Sequence, residues 1–572
     1  MAWESLVFSD LLGRVADLGA MLWNMRNRIR QIWELSPAFC AFAGIFCGTM
    51  GRDHGWSVPV LILMIAFWGM LLRWSGASWW RTMILALFLP LGWLRCAWTG
   101  NACGQSYLRL LSRPAAGVKF RVVLTQTPMG TGRLAPWDAG RGVVLADFRA
   151  METVSSEGMK VVSGCVVLHP MSLQDKELLR TCPLGGVLEG KGRLLPVPPP
   201  DDPVSGFYGE YLLAHGVFRE LELEEFHAAG EESGGIWRWR KGVRRTREWL
   251  GERLTRGCKD VADAQLLLAL GLGLGEFVPT EMRQRQVDAG TVHVFAISGM
   301  HVGMVALLFM LLLRWSGLSL QWQWGLTAVL DALYVILTGG GASGLRALLM
   351  ALLVLYAHFR WRAPVWLNTL GLAGSAALLD NSFCIKNLGF VYSYVIVAIL
   401  LMLAPMTRRV GAILAEKHAW LPRELRPRRR TAMMTWLCNG LLVSFFAWLG
   451  STGISLQINH QLNLVAPLVN LPLGIMVYVT LLLCPLRVLL GVCLPFADGL
   501  WSDVLAASMR ATSFLASCSA EGHASLPVAQ IHYWQSVLFY LLLALLLLVL
   551  SDEANGAEEE FSRKNSFPQK IL

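Results

Sequence analysis

Apolar residues run through this chain in blocks of about 17 to 24, the length an α-helix needs to cross ~30 Å of hydrocarbon. Segments 388–406 and 536–550, with their flanks, are representative. Polar loops separate the blocks, so the pattern predicts a bundle and not a single anchor. Three short apolar segments come first, at 37–50, 58–72 and 83–98. After a long polar stretch, nine spans are predicted at 291–313, 322–338, 341–358, 363–380, 385–406, 432–450, 463–486, 488–508 and 532–550. The fold class that follows is a polytopic α-helical membrane protein of about 12 transmembrane helices.

The polar stretch 99–235 has a different period. Segments 118–127, 142–148, 160–169 and 186–195 are rich in Val, Leu and Gly between turn residues, and read as strands of a small β-barrel. The barrel is expected to end in the rigid extended run Pro196, Pro198, Pro199 and Pro200, which can hold it off the membrane.

Between barrel and spans, the region 236–290 opens with Ile236, Trp239, Val243, Leu250 and Leu254 at helical steps. Arg238, Arg240, Lys241, Arg244, Arg245, Arg247, Arg253 and Arg256 fill the other positions, which predicts an amphipathic interfacial helix. Its cations suit either lipid headgroups or nucleic-acid phosphates. The run 265–275 is too short to cross and is bracketed by Asp263 and Glu276, so it reads as re-entrant or interfacial.

Charge sets the orientation. Arg26, Arg28 and Arg30 precede the first span, and Arg73 and Arg81 flank the loop after the second, which puts 99–235 outside. One parity then places Arg314, the Arg360 and Arg362 loop, and the cluster Arg408, Arg409, Lys417, Arg423, Arg426, Arg428, Arg429 and Arg430 in the cytoplasm, provided that 265–275 does not cross. Composition agrees with a membrane protein: apolar residues are 54% and charged residues 16%, against roughly 25% charged in soluble domains. The net charge of +10 fits topology-setting Lys and Arg or an acidic partner.

In the first thirty residues Trp3, Leu6, Leu11, Val15, Leu18 and Leu22 recur at helical spacing among charges, as in an interfacial helix rather than a secretory signal. The 12 cysteines form no CxxC pair and no metal-ligand spacing, so no metal or cofactor is expected. Cys103, Cys165 and Cys182 lie in the polar domain, where one disulfide among them is possible.

The chemistry concentrates in 287–307, VDAGTVHVFAISGMHVGMVAL. Two imidazoles and a hydroxyl stand where an ordinary span holds apolar side chains, and such groups mark a pathway or a site. Ser298 and His301 share a helix face, with His293 about 140° away at ~100° per residue. Gly299 offers a break that exposes backbone groups to a wet cavity.

His293, Ala296, Ile297, Ser298, Gly299, His301, Val302 and Gly303 match H-x-x-A-I-S-G-x-H-x-G, and here the chain resembles the ComEC competence family. Segments 344–350 (GLRALLM), 387–394 (NLGFVYSY), 463–472 and 203–218 resemble further motifs of that family in the same order, so the resemblance covers about 36–510. The family's Gln-Leu-Ser-Phe reads Val391, Tyr392, Ser393 and Tyr394 here.

The resemblance implies an inner-membrane channel that imports single-stranded DNA during natural transformation, with an external OB-like barrel. It also implies membrane lipid, a competence DNA receptor, a cytoplasmic translocation ATPase or helicase and a possible homo-oligomer as partners. Many members end in a metallo-β-lactamase-like domain; only a polar tail follows 550 and no H-x-H-x-D-H motif occurs, so no nuclease activity is expected.

The expected path residues are His293, Ser298, Gly299, His301, Arg346, Asn387, Tyr392, Ser393 and Tyr394, with Arg240, Lys241, Arg244, Arg245 and Arg247 as the DNA or headgroup surface. Arg346 near mid-span calls for a cavity or a carboxylate, and Asp331 in the preceding helix is the alternative, structural partner. An intramembrane hydrolase with Ser298 as nucleophile and His293 or His301 as base, and a small-anion or lipid-linked solute transporter, are the competing readings.

Overall fold

The computed structural model describes residues 36–53, 57–74, 79–105, 115–125, 144–152, 164–172, 182–197, 208–275, 298–416, 428–493, 498–518, 525–528 and 531–565, with a few single positions between them. The expected N-terminal interfacial helix, Pro198 to Pro200 and the 279–297 part of the first motif lie outside the described residues.

The chain opens with α1 (Pro37–Asp53), α2 (Val58–Trp74), α3 (Trp79–Ala86) and α4 (Phe88–Gln105). Small residues let α1 and α4 touch backbone to backbone: a Cβ on Gly48 would fall 1.9 Å from the Leu89 carbonyl oxygen, and one on Gly92 would fall 2.2 Å from that of Ile45. Between apolar helices such close approach supplies the dispersion contact that water expulsion does not. Gly92→Val should therefore force the pair apart at a cost of at least about 2 kcal/mol. The expected result is a lower thermal midpoint in detergent than that of Gly69→Val, where no atom lies within 4 Å of the added carbon.

The polar domain is a five-stranded barrel. β1 (Ala115–Leu124), β2 (Val144–Glu152), β3 (Gly164–Pro170), β4 (Gly186–Pro196) and β5 (Val217–Glu231) close in the order β1-β2-β3-β5-β4. Its core is Val118, Phe120, Val122, Leu124, Val166, Leu168, Leu188, Leu194, Leu221 and Leu223. The barrel does not end at the proline run. After it come a short helix, α5 (Tyr208–Ala214), and β5, which pairs antiparallel with β4 and parallel with β3. β5 reads as polar, yet Val217, Leu221 and Leu223 point inward at even spacing, the period-2 signal of a half-buried strand. Buried Glu220 is held by His169 across the parallel pair, at 3.1 Å. No disulfide joins Cys165 to Cys182, and the Cys103 side chain lies outside the described residues.

Then follow α6 (Gly235–Thr255) and α7 (Val261–Leu272). Asp260 caps α7, its carboxylate accepting the Ala262 N–H at 2.9 Å, and Gly273 ends it in the left-handed region at φ 68°. Residues 266–272 are all buried, packed with α14 and α15 side chains. The run is enclosed by protein, as a helix apolar on all sides requires.

The bundle continues with α8 (Gly299–Arg314), α9 (Leu320–Leu337), α10 (Ala342–Phe359), α11 (Trp366–Asp380), a 3-10 turn at Ser382–Lys386, α12 (Leu388–Glu416), α13 (Arg428–Asn459), β6 (Gln461–Asn463), α14 (Ala466–Cys493), α15 (Asp498–Cys518), β7 (Ser525–Pro527) and α16 (Tyr533–Asn565). Of the expected spans, three helices are long and apolar enough to cross a membrane on their own: Leu388–Leu414, Arg429–Ile458 and Ala466–Val488. Shorter apolar helices, among them Gly299–Arg314 and Ser343–Phe359, join them.

One boundary is corrected: α14 runs to Cys493 and α15 starts at Asp498, so no break falls between 486 and 488. Arg487, which marks a loop by polarity, is 2% exposed and donates to the Arg256 carbonyl at 3.0 Å. Pro485 is carried within α14; inside a bundle, neighbouring groups can satisfy the carbonyl that a proline frees.

The barrel is tied to the bundle twice. Trp237 of α6 is buried against Val123, Leu184 and Val187, while Asn381 donates to the Ala214 carbonyl at 3.0 Å beside the Lys386–Glu210 pair.

Candidate functional site: a polar centre at two helix N-termini

α8 begins inside the motif. Ser298 is its N-cap, and with His301 it makes a capping box in which the Ser298 N–H donates to His301 Nδ1 at 3.2 Å. His301 is 1% exposed. The motif's small residue has a steric reason: a Cβ on Gly299 would sit 2.9 Å from Arg346 Nη2.

Arg346, on α10, is 5% exposed. Its Nη1 donates to the Ser393 carbonyl on α12, and its Cζ lies 5.4 Å from the Tyr394 ring centroid. The expected alternative partner is not used: neither carboxylate oxygen of Asp331 has a hydrogen-bond partner among the described residues. Arg346 turns instead toward α12 and the start of α8. Ser343 Oγ meets Ser393 Oγ at 3.2 Å. Three sequence-distant motifs therefore converge on one guanidinium, which stands beside the N-terminus of α8, where backbone N–H groups and the helix dipole favour an anion.

Asn387 caps α12, its Oδ1 accepting the Phe390 N–H at 3.3 Å. Tyr394 is 4% exposed, with ring centroids 4.5 Å from Phe390 and 5.1 Å from Phe42, so it packs in a core under Arg346 and does not offer a stacking face. Tyr392 shares a hydrogen bond with Ser455 at 3.0 Å on α13. His293 lies outside the described residues.

The N-terminus of a second helix, which contacts α8, is also capped by a side chain. Asn463 Oδ1 accepts the N–H groups of Val465 and Ala466, both at 3.0 Å, at the N-terminus of α14. Met304 of α8 and Val469 of α14 pack on the same core, and the two helices are in contact. Trp448 Nε1 donates to the Asn463 carbonyl at 2.8 Å and Ser444 Oγ to that of Pro467 at 2.6 Å. Trp448 lies about 15 Å along α13 from Ile458, so β6 folds back alongside α13, at the depth of that candidate span. Non-helical backbone at that depth is stable where protein buries it or a wet cavity runs beside it.

The basic helix divides. Arg247 Nη2 donates to the carbonyls of Leu272 at 3.0 Å and Thr338 at 3.4 Å, and thereby closes the C-termini of α7 and α9. Arg244 pairs with Glu248 at 2.8 Å, and Lys241 with Glu231. Arg240, stacked 5.1 Å over Trp237, and Arg245 remain exposed. The five cations are therefore not one free surface. Ser343, which meets Ser393 beside Arg346, was missed in the sequence reading.

His301 accepts through Nδ1, so the neutral ring carries its proton on Nε2 and is not aimed as a base at Ser298 Oγ. Among the described residues no three His, Cys, Asp or Glu are grouped to hold a metal.

The Competence protein family model matches residues 270–553. ComE operon protein 3 of Bacillus subtilis (strain 168) is 27% identical over 208 residues, covering 36% of this chain and 24% of that protein, so the match spans about a quarter of the relative's length. No solved structure matches. Ser298, Gly299, Arg346, Ser393 and Asn463 all fall inside the matched region, and through residues 270–553 the chain belongs to the Competence protein family.

Proposed function

We propose that the chain conducts single-stranded DNA across the bacterial inner membrane into the cytoplasm during natural transformation, as a multi-pass channel. The observation that carries this reading is the convergence of three motifs on Arg346 at the start of α8. A phosphodiester strand needs cations and N–H donors along its path, but few enough that it is released. One guanidinium beside the N-terminus of α8 meets that demand, with Ser298, Ser343 and Ser393 as neutral polar neighbours.

The closed barrel, with order β1-β2-β3-β5-β4 and one parallel pair, supports an OB-like domain, a shape that often holds single strands. On this reading the barrel receives the strand outside from a competence receptor, and a cytoplasmic ATPase or helicase draws it in. For the hydrolase reading, His301 Nδ1 is committed to the Ser298 backbone, which counts against His301 as the base, while His293 lies outside the described residues.

Deleting the gene and following labelled DNA into the cytoplasm tests the proposal. Entry and transformation should both fall to background and return with the wild-type gene; unchanged entry would overturn it. Orientation is tested separately, with cysteines introduced into 99–235 and 407–430, which should label from opposite faces. Native Cys182 is a poor competitor, since burial pushes its thiol up and the thiolate is the reactive form.

A further inference from the structure

The least expected group in the bundle is Asp331. It stands in the middle of α9, is 0% exposed, and neither carboxylate oxygen has a hydrogen-bond partner among the described residues. Each neighbouring element supplies a titratable side chain that is committed elsewhere. On α8, His301 Nδ1 is bonded to Ser298; on α10, Arg346 is bonded to Ser393; on α6, Arg247 is bonded to the Leu272 and Thr338 carbonyls. Cys484 of α14 comes close to Tyr334, not to a cation. An ionised carboxylate with no partner in such a place is strongly unfavourable, so the acid carries a proton.

The acid is not isolated from other polar groups. Gln323, Thr327, Asp331, Tyr334 and Thr338 follow one another by four, four, three and four residues, a seam along one face of α9 about 22 Å long. Gln323 Oε1 and the Tyr334 hydroxyl are, like the carboxylate, buried and without a partner among the described residues. Unsatisfied groups of this kind are costly in an apolar core, and in a membrane they line a path by default.

We infer that Asp331 is a proton-exchange site of the bundle, its carboxylate taking up and releasing a proton along the α9 seam. The step is simple: a proton adds to one carboxylate oxygen and leaves from it, with no other bond changed. It does not depend on what the bundle conducts, so the test is run on the purified full chain with no DNA present.

The measurement is infrared absorption of the protonated carboxyl C=O, with Asp331→Asn as reference. Wild type should show a band absent from the variant, which moves on transfer to D2O and fades as pH is raised. A band that stays unshifted in D2O, or its absence at every pH, would overturn the proposal. Should Asp331→Asn not accumulate, wild type alone decides through a membrane-permeant carbodiimide, which adds only to protonated carboxyls. An adduct mapped to Asp331, declining with rising pH, supports the site; no adduct, or a pH-independent yield, sinks it.

Discussion

Arg346→Ala should reduce entry of labelled DNA by about 10- to 100-fold while the protein remains in the membrane, because the variant removes a buried, charge-assisted donor rather than a packing group. Arg346→Lys should retain part of the entry. It keeps a cation, but gives up the fork that reaches the Ser393 carbonyl from one side and Gly299 from the other. Since Arg346 does not touch Asp331, adding Asp331→Ala should not rescue Arg346→Ala. Rescue would show a structural ion pair and remove Arg346 from the path. Gly299→Ala serves as an independent check, as it displaces the guanidinium without altering its charge. Its entry should fall in the same direction, and full entry would mean that the position of the guanidinium is immaterial.

Arg247→Gln should unfold the link between the α6 helix and the bundle, whereas Arg240→Gln with Arg245→Gln should leave the fold intact. Arg247 satisfies two terminal carbonyls, those of Leu272 and Thr338, and leaving such groups unpaired costs about 1 to 3 kcal/mol each. The thermal midpoint in neutral detergent should drop for Arg247→Gln and hold for the double variant. If the exposed pair contacts a strand, the double variant should also flatten the salt dependence of oligonucleotide binding by roughly one counterion-release unit per cation lost. An unchanged slope would assign Arg240 and Arg245 to lipid headgroups. A stable Arg247→Gln protein would show that the carbonyl contacts are dispensable.

Several elements were legible because their signal is local. The strands β1 to β4, the long apolar helices and the amphipathic run that became α6 each write their period into consecutive residues, and that period follows from which face meets water or lipid. The motif around Ser298 was legible for a related reason, since polar groups in an apolar run must be compensated somewhere. β5 was missed although its inward Val217, Leu221 and Leu223 alternate, because Arg219, Glu220, Glu222, Glu224 and Glu225 raise its polarity. α7 reads from sequence only as re-entrant or interfacial, because a short apolar run looks the same whether lipid or protein surrounds it.

By itself the sequence determined the membrane class, the barrel inserted among helices, and the residues too polar to be structural filler. Only the tertiary structure decided which of these residues meet: Arg346 with Ser393 and not Asp331, Arg247 with the ends of two helices, Arg487 inside α14 and not in a loop. The reason is physical. Burial and periodicity are properties of a segment and its solvent, whereas a partner is chosen by helix rotation and packing between segments dozens to hundreds of residues apart, and a single sequence carries no distance between them.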